Sequence, residues 1–399
     1  MLRYLTAGES HGPQLTAIVS GVPAGLAVSA ADIDRDLKRR QGGYGRGGRM
    51  TIERDAVRIV SGVRHGLAMG SPITLVVENR DWKNWQAIMS AEPVEDAEGQ
   101  RAVTRPRPGH ADLAGIQKFG HTDARNILER ASARATTTQV AVGAICKALL
   151  REFDIRVCSH VVELGDVSVN VEITEQFSHE EFERLVEASE LRVADPAAEP
   201  AMKEIIDNAK KAGDTVGGIF EVIATGVPAG LGNVMNWDER LDGRIAQAMM
   251  ALQAIKGVEI GLGFDSARLP GSQVHDPIFY SKDAEDWPVG HGPSGGFYRK
   301  TNGAGGIEGG MSNGEPVVVR AAMKPIPTLM RSIESVDFAT HEAFDASKER
   351  SDVCAVPAAA VIGESLLAIV LAQAMIEKFG GDSVAEMKRN YQGYVKSLG

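Results

Sequence analysis

The sequence predicts a mixed α and β fold, because β-rich segments alternate along the chain with segments of helical patterning. The chain has 399 residues, more than the roughly 250 to 300 at which a single hydrophobic core stops growing. Segments 18–26 and 223–231 share six consecutive identical residues, Gly-Val-Pro-Ala-Gly-Leu. These three observations predict two lobes or a duplicated unit.

A second, weaker repeat supports the duplication. The glycine spacing of segment 62–73 recurs in segment 306–317, in the same order as the first repeat. The offset grows from 205 to 244 residues, so the second half would carry an insertion of 39. The alternative is a favourable turn sequence used twice. We interpret the chain as one domain, 1–399, with pseudo-repeats at about 1–150 and 215–399.

The local patterns predict individual elements. Strands are expected at 15–20, 50–60 and 317–323. Ser29 with Asp32 is expected to cap a helix that ends before Gly42. Ser178 and Glu181 have the spacing of a capping box. The predicted helices cover 30–41, 126–153 and 361–379.

The composition is that of a globular protein. The chain is 43% hydrophobic and 24% charged with a net charge of -10, which excludes disordered and fibrous classes. The three cysteines form no Cys-x-x-Cys pair, which argues against a disulfide framework or a thiolate metal site and favours a reducing cytoplasm. They are Cys146, Cys158 and Cys354.

Neither the N-terminal segment nor the apolar region 353–376 predicts a membrane protein. The N-terminal segment turns polar before a signal peptide could form. Region 353–376 contains Pro357 and Glu364, so we expect a buried helix and its approach rather than a membrane span.

Basic residues are concentrated in two segments of this acidic chain. Segment 35–64 holds nine Lys or Arg against three acids, and segment 101–134 holds seven against three. Guanidinium groups bind phosphate and carboxylate in a fixed fork, so these clusters suit a small ligand with several negative charges. The alternative is a solvated, ion-paired face. The acidic net charge and 5% aromatic content count against nucleic acid.

Two familiar motifs are rejected by their context. Segment 8–12 matches Gly-x-Ser-x-Gly, but a strand-like run follows it where a hydrolase elbow needs a helix. Segment 43–48 matches Gly-x-Gly-x-x-Gly, but it follows a helix and precedes a predicted strand, the reverse of a dinucleotide fold. We interpret it as a loop whose arginines, Arg46 and Arg49, close over an anion.

Two His-x-Asp pairs occur, His110 with Asp112 and His121 with Asp123, and each could bind a metal or act in acid-base catalysis. A metal site is one alternative. Because no third ligand cluster accompanies them, we favour an acid-base role for one histidine. Either aspartate could equally cap a helix.

Two further groups stand near predicted helices. Arg130 and Arg134 share one helical face, with Ser132 to the side. Asp352 lies at the edge of the apolar region, where burial or a hydroxyl partner can change its pKa. An ion pair of Arg350 with Asp352 is the alternative.

Taken together, eight ordered segments closely resemble the chorismate synthase family, and the match runs essentially end to end. The resemblance implies conversion of 5-enolpyruvylshikimate 3-phosphate to chorismate, the last step of the shikimate pathway, by an anti 1,4-elimination that needs reduced FMN without net redox change. The segments are 8–12, 39–46, 105–112, 130–134, 253–257, 305–310, 324–326 and 350–357.

The resemblance also implies catalytic roles. His11 would protonate the departing phosphate, and His110 would protonate or stabilise the reduced flavin. Asp352 would help to remove a proton together with a neighbouring hydroxyl, for which Ser10 and Ser132 are candidates.

Ligand contacts follow from the same resemblance, and no metal is implied. Arg40, Arg46 and Arg49 would face the substrate or a nicotinamide nucleotide. The flavin could be reduced by this enzyme with NADPH or by an outside reductase, and both alternatives remain open. FMN would contact Arg130, Ala131, Ser132, Gln253, Ala254, Gly309, Lys324, Pro325, Ile326, Pro327, Thr328 and Arg350.

The family architecture implied is an α+β fold, a β-α-β sandwich of two four-stranded antiparallel sheets around a helical layer. It implies a cytoplasmic homotetramer that acts on a small molecule, with neither nucleic acid nor a membrane as partner. Three positions depart from the family pattern. Ala135 replaces a usual Glu, Pro327 replaces a common Ser, and His121 has no counterpart, so we give it no role.

Overall fold

A computed structural model describes residues 1–47, 54–94, 102–169, 177–345 and 352–399. Seventeen strands lie in these ranges. They are β1 (Arg3–Ala7), β2 (Gln14–Ser20), β3 (Val57–Ser61), β4 (Val63–Arg64), β5 (Leu67–Ala68), β6 (Ile73–Glu78), β7 (Arg156–Leu164), β8 (Val167–Ser168), β9 (Gly218–Thr225), β10 (Ile255–Ile260), β11 (Ile278–Tyr280), β12 (Phe297–Arg299), β13 (Ile307–Glu308), β14 (Met311–Ser312), β15 (Val317–Met323), β16 (Glu334–Val336) and β17 (Ala343–Asp345).

The α-helices of the described ranges lie between and after these strands. Short 3-10 turns at Arg80–Asn84, Ala133–Ala135, Trp237–Glu239, Gly263–Arg268 and Ala284–Asp286 connect some of them. The helices are α1 (Ala30–Gln41), α2 (Asp112–Phe119), α3 (Arg125–Ala131), α4 (Thr136–Arg151), α5 (His179–Ala188), α6 (Glu199–Ala212), α7 (Leu241–Met250), α8 (Gly271–Val274), α9 (Val356–Phe379) and α10 (Val384–Leu398).

Two antiparallel sheets form the frame of the molecule. The first has the order β1-β2-β6-β3, and the second has the order β10-β15-β9-β7-β8. The predicted mixture of α and β structure is confirmed. The expectation of four strands in each sheet is wrong for the second sheet, because β7 turns back at Gly165, with φ +61°, to form the short strand β8.

Helices pack between these sheets. Helix α4 lies on β2 and β6 of the first sheet, and α9 lies on β7 and β9 of the second. The two helices pack against each other, and α1 contacts both. Their apolar side chains belong to one continuous core that includes both sheets.

Helix α9 is the most apolar element of the chain. It begins five residues before the predicted start at 361, because Pro357 fits the first helical turn, and it ends before Gly380 as predicted. Its length and composition would suit a membrane span, but 94% of its apolar window is buried inside the protein. It occupies the place of a core helix.

Several other predicted elements are confirmed in type. Helix α1, strand β15 and the capping box of Ser178 and Glu181 lie where predicted. The capping role of Ser29 is wrong, because its side chain makes no cap hydrogen bond. The strand expected at 50–60 begins at Val57, while 50–53 lie outside the described residues.

The long helix predicted at 126–153 is wrong in one respect: it is broken at Ser132. The backbone there leaves the helical region, with φ -59° and ψ 142°, and the Ser132 hydroxyl accepts a hydrogen bond from the Arg134 amide. A 3-10 turn follows before α4 begins. Serine hydroxyls compete with helical hydrogen bonds in this way, and the break turns the following residues toward a cavity.

The two sheets repeat one strand pattern. In the first half β1 pairs with β2, α1 follows, and the short β4–β5 hairpin precedes β6, which pairs with β2. In the second half β7 pairs with β9, α7 follows, and the short β13–β14 hairpin precedes β15, which pairs with β9. Val19 pairs with Ile73 in the first half, and Ala224 pairs with Val317 in the second, at the offsets seen in the sequence. We propose that the two halves descend from one duplicated unit. A turn sequence used twice would not explain why the strand pairing has the same register in both halves.

A glycine on α4 sets how closely α4 approaches α9. A Cβ at Gly143 would lie 2.3 Å from Cβ of Ser365 on α9. Gly143→Ala should therefore lower the free energy of unfolding by ~1–3 kcal/mol, the usual cost of overpacking. Urea denaturation followed by circular dichroism measures this.

Gly393→Ala is the matched control. Gly393 lies on α10, and a Cβ added there would have no atom within 4 Å, so alanine at this position should raise stability by up to ~1 kcal/mol through helix propensity. Equal stabilities of the two variants would contradict the close helix contact.

Candidate active site

A cavity of about 680 Å³ collects most of the predicted site residues. We call it the first cavity. Its wall comes from the β1–β2 loop, the end of α1, the break between α3 and α4, the segments after α7 and β15, and the start of α9. Residues from both halves of the chain therefore meet in one place, at a volume suited to small ligands.

The wall is strongly basic. Asp352 is the one carboxylate among the described residues that line the cavity. Burial lowers the pKa of Arg40 to about 10, although Asp55 beside it favours the charged form. The guanidinium groups suit a ligand with several negative charges. The lining cations are Arg40, Arg46, Arg107, Arg125, Arg134 and Lys324.

His11 is held by a buried glutamate. Its Nδ1 lies 2.8 and 3.0 Å from the two carboxylate oxygens of Glu129, and its backbone amide donates to the same carboxylate at 2.9 Å. The ring also stacks on Trp85, with 4.0 Å between ring centroids. With Nδ1 engaged, Nε2 is the nitrogen available to a ligand.

His110 is held in the same way by an aspartate. Its Nδ1 lies 2.6 Å from Oδ1 of Asp112, which is completely buried. Nε of Arg107 donates to the other oxygen at 2.9 Å. Burial alone would raise the pKa of Asp112, but the hydrogen bonds from His110 and Arg107 outweigh it and hold that pKa well below its usual value.

The serine and aspartate candidates also reach the first cavity. Oγ of Ser132 donates to Oγ of Ser10 at 3.2 Å. Asp352 accepts from the Gly47 amide at 2.6 Å and pairs with Arg46 at 3.2 Å. The predicted alternative partner of Asp352, Arg350, lies outside the described residues.

The residues expected around FMN include an unsatisfied acceptor. Oε1 of Gln253 is buried in the cavity wall and has no hydrogen-bond partner among the described residues. Ala254 beside it has φ +68°, a strained conformation for alanine, and its carbonyl accepts from the Lys324 amide at 2.9 Å. The wall therefore offers an acceptor to a ligand N–H, and these residues fit the group.

Some predicted contacts do not line this cavity. Arg130 is exposed and donates to the carbonyls of Thr6 and Gly8. Gly309 lies in the turn between β13 and β14, and Pro325 is not part of the wall. Arg49 and Arg350 lie outside the described residues. The remaining predicted contacts, Ala131, Ser132, Gln253, Ala254, Lys324, Ile326, Pro327 and Thr328, line the first cavity.

Two of the three departures from the family pattern, Pro327 and Ala135, occupy different places. Pro327 lies in the wall, so a hydroxyl and an amide donor are missing there. Ala135 is not part of the lining. Its carbonyl accepts from Thr138 at the start of α4.

Sequence reasoning missed the residues that hold the histidines in place. The spacing of Asp112, two residues after His110, indicates a possible contact between them, but a helix-capping role for Asp112 explains the same pattern equally well. Glu129 gives no such signal, because it lies 118 residues from His11. Trp85 and Arg125, which lies over the Trp85 ring at 5.2 Å, were missed for the same reason.

The remaining observations concern groups of potential metal ligands and the cysteines. No group of three or more His, Cys, Asp or Glu placed to hold a metal ion occurs within the described ranges. The three cysteines are free and buried. The two histidine–carboxylate pairs, the hydroxyl pair and the basic wall define an enzyme that binds a small molecule with several negative charges and moves protons on it.

Comparison with known proteins identifies the family. The family model for chorismate synthase matches residues 2–376. Chorismate synthases of Geobacter metallireducens and Geotalea daltonii are each 58% identical over 398 residues, covering 100% of this chain and 99% of theirs. A crystal structure of a chorismate synthase aligns with a TM-score of 0.78 at 44% identity, covering 100% of this chain and 98% of that one. The chain belongs to the chorismate synthase family and is by that family a lyase.

The Glu129 pair predicts a pH-dependent stability. Burial would raise the pKa of Glu129, but the hydrogen bond and charge of His11 and the charge of Arg125 lower it below its usual value. A lowered folded pKa stabilises the protein above the unfolded value, and this stabilisation is lost as pH falls through the folded pKa. Glu129→Gln should lower the free energy of unfolding by ~1–3 kcal/mol at pH 7 and by less near pH 3.

Denaturant titrations between pH 3 and pH 7 measure this difference. Glu285→Gln, at an exposed carboxylate, is the control and should change stability little at any pH. A Glu129→Gln deficit that stayed constant across the range would show that the pair does not stabilise the fold through its charge.

Proposed function

We propose that this chain converts 5-enolpyruvylshikimate 3-phosphate to chorismate and inorganic phosphate. The bond from carbon to the phosphate oxygen breaks, a hydrogen leaves carbon 6, and a new double bond forms. One observation carries the proposal: a chain of the chorismate synthase family brings two histidine–carboxylate pairs to one basic cavity.

The charge of the cavity matches that substrate. It carries one phosphate and two carboxylates, and FMN brings another phosphate. Six cations and one carboxylate, Asp352, line this partly buried cavity, where ion pairs are stronger than in water. Arg40 and Arg46, at the end of α1 and beyond it, are placed to bind the substrate or a nicotinamide nucleotide.

His11 is proposed as the acid at the departing phosphate. Glu129 accepts from Nδ1 and so fixes the orientation of the ring. Nε2 can then carry a proton toward a phosphate oxygen as negative charge develops there. Trp85, stacked on the ring, limits its rotation.

His110 is proposed to act beside the flavin. Asp112 fixes its Nδ1, and Arg107 locks that carboxylate from the other side. The fully buried Asp112 keeps its charge and, through Nδ1, holds the imidazole so that Nε2 faces the cavity where the flavin would lie.

Asp352 is proposed to assist removal of the proton from the substrate. The Gly47 amide and Arg46 hold its carboxylate at the cavity wall. Ser10 and Ser132, hydrogen-bonded to each other in the same cavity, are the hydroxyls proposed to pass a proton onward.

The flavin is proposed to lie against the segments around Gln253 and Lys324. These segments would hold reduced FMN, which would supply transient electron donation with no net redox change. Gln253 offers its unpartnered oxygen to an N–H of the ring, and Lys324, whose Nζ donates to the Gly109 carbonyl at 2.8 Å, joins the flavin segment to the His110 loop.

Assembly and location are proposed from the family as a cytoplasmic homotetramer. Apolar residues exposed on this single chain support an assembly larger than one copy. They occur on the first sheet at Leu5, Ile18 and Val60, and on the β11–β12 hairpin at Ile278 and Phe297.

An anaerobic assay tests the function. Chemically reduced FMN and 5-enolpyruvylshikimate 3-phosphate are added to the protein, and chorismate and free phosphate are followed together. We expect equal release of both, and none with oxidised FMN. An arm with NADPH and oxidised FMN shows whether the chain reduces its own flavin.

If neither chorismate nor phosphate formed while reduced FMN and substrate were still bound, the proposed activity would be overturned. That result would favour a polyanion-binding protein that uses the same arginines. Pro327→Ser and Ala135→Glu, which restore the family residues, would then be the variants to assay.

Variants of the proton-moving residues test the mechanism. His11→Ala, His110→Ala and Asp352→Asn should each lower kcat by about 10²- to 10⁴-fold, the usual contribution of a positioned acid or base. His275→Ala, at an exposed histidine just after α8, is the control and should leave kcat unchanged.

The affinity for FMN separates chemistry from structure in these variants. Asp352→Asn should bind FMN nearly as tightly as the parent protein. A large loss of bound FMN would make Asp352 a structural residue, and full activity of both histidine variants would refute the acid-base roles.

A further inference from the structure

A second cavity, of about 430 Å³, lies between the end of α1, the end of α4, the start of β7 and α5. Six Lys or Arg residues and three acids line it. This excess of positive charge stands in a chain whose net charge is -10. The lining cations are Arg35, Lys38, Arg39, Lys147, Arg151 and Arg156.

The floor of the second cavity is charge-balanced and rigid. Arg39 forms a fork with the buried carboxylate of Glu364, at 2.7 and 2.8 Å. Nζ of Lys147 donates to Glu364 at 2.7 Å and to Asp36 at 3.0 Å. These groups satisfy one another, so they hold the shape of the cavity and leave its excess charge to the rim.

The rim carries the uncompensated charge. Lys38, Arg151 and Arg156 form no side-chain hydrogen bond or salt bridge within the described ranges. They belong to three different elements, α1, α4 and β7, and converge on one concave surface. Three acids, Asp36, Glu183 and Glu187, line the same cavity, but within the described residues none forms a salt bridge with these cations, as an ion-paired face would require.

His179, at the start of α5, gives independent support. It lines the same cavity, and its Nδ1 lies 3.2 Å from Oγ1 of Thr225 on β9 and 3.9 Å from Sγ of Cys158 on β7. Burial, together with the charge of Arg156, lowers its pKa to about 4, although Glu364 on α9 and Glu180 on α5 act in the opposite direction. The ring is therefore neutral in a positive surrounding.

We propose that the second cavity is a binding site for a small anion that carries two or more phosphate or carboxylate groups. The three rim cations bind the anionic groups, since guanidinium and ammonium groups form strong charge-assisted hydrogen bonds with them. This site is separate from the first cavity. Arg39 lines the second cavity and its neighbour Arg40 lines the first, so consecutive residues of α1 serve two sites.

Inorganic pyrophosphate is the probe, with citrate as the polycarboxylate. Isothermal titration at low ionic strength, with reduced screening, measures affinity for the full chain saturated with FMN and substrate analogue, which keeps the first cavity filled. We expect one site. The ratio of the two affinities shows whether phosphate or carboxylate chemistry is preferred.

Arg151→Gln with Arg156→Gln should weaken pyrophosphate binding roughly tenfold or more, because two charged hydrogen-bond donors are lost. Arg58→Gln with Arg389→Gln removes the same charge at two exposed arginines outside both cavities and should weaken it less than twofold. Circular dichroism and thermal unfolding establish that both double variants fold. Equal weakening in both pairs would overturn the site, because it would reflect net charge alone.

The pKa of His179 locates the anion. Its Cε1–H resonance is assigned with His179→Gln and titrated by NMR with and without pyrophosphate. A bound anion should raise the pKa, because the negative charge favours the imidazolium beside Arg156. Binding that leaves the His179 titration unchanged would place the anion elsewhere and overturn the proposal. Because this readout does not involve turnover, its outcome is independent of the proposed lyase activity.

Discussion

The buried carboxylate of Glu364 is the interaction on which the rest of the structure depends. Helix α9 is apolar on all sides, so hydrophobic burial alone would allow it to slide or rotate in the core. Glu364 removes that freedom, because Arg39 of α1, Lys147 of α4 and Arg192 reach the same carboxylate. Burial would raise its pKa, but these cations hold it well below the usual value, so the group stays charged. Replacing any one partner would leave a buried charge uncompensated, which is far more costly than losing a surface pair.

This network fixes the position of α1, and the basic residues at the end of α1 then face two different cavities. Arg39 turns toward Glu364 and the second cavity, while Arg40 turns toward Thr136 and the first cavity. Residues adjacent on a helix point about 100° apart, so one helix end can serve both. The sequence cluster that suggests a single anionic ligand is therefore two groups of cations with different partners.

The first cavity shows how two sheets of similar strand order can carry an asymmetric site. The two sheets share strand order and register, but each half contributes different segments to the cavity wall. The break at Ser132 is the local cause: it directs the Ser132 hydroxyl to Ser10 and places Arg134 in the cavity wall, where it pairs with the buried carboxylate of Asp55. Loops on a rigid frame commonly hold the functional groups in this way.

The sequence by itself determined the class of fold, the repeat, the family and the candidate site residues, most of which line the first cavity, because strand and helix periodicity, turn glycines and ordered motifs are local signals. It also indicated a buried helix over most of α9. Only the tertiary structure decided which carboxylate holds each histidine, where the helix before Thr136 breaks, that the second sheet gains a fifth strand and that Arg39 faces away from Arg40. The physical reason is distance along the chain. Glu129 reaches His11, and Glu364 reaches Arg39, across more than a hundred residues, and no pattern of neighbouring residues records such contacts.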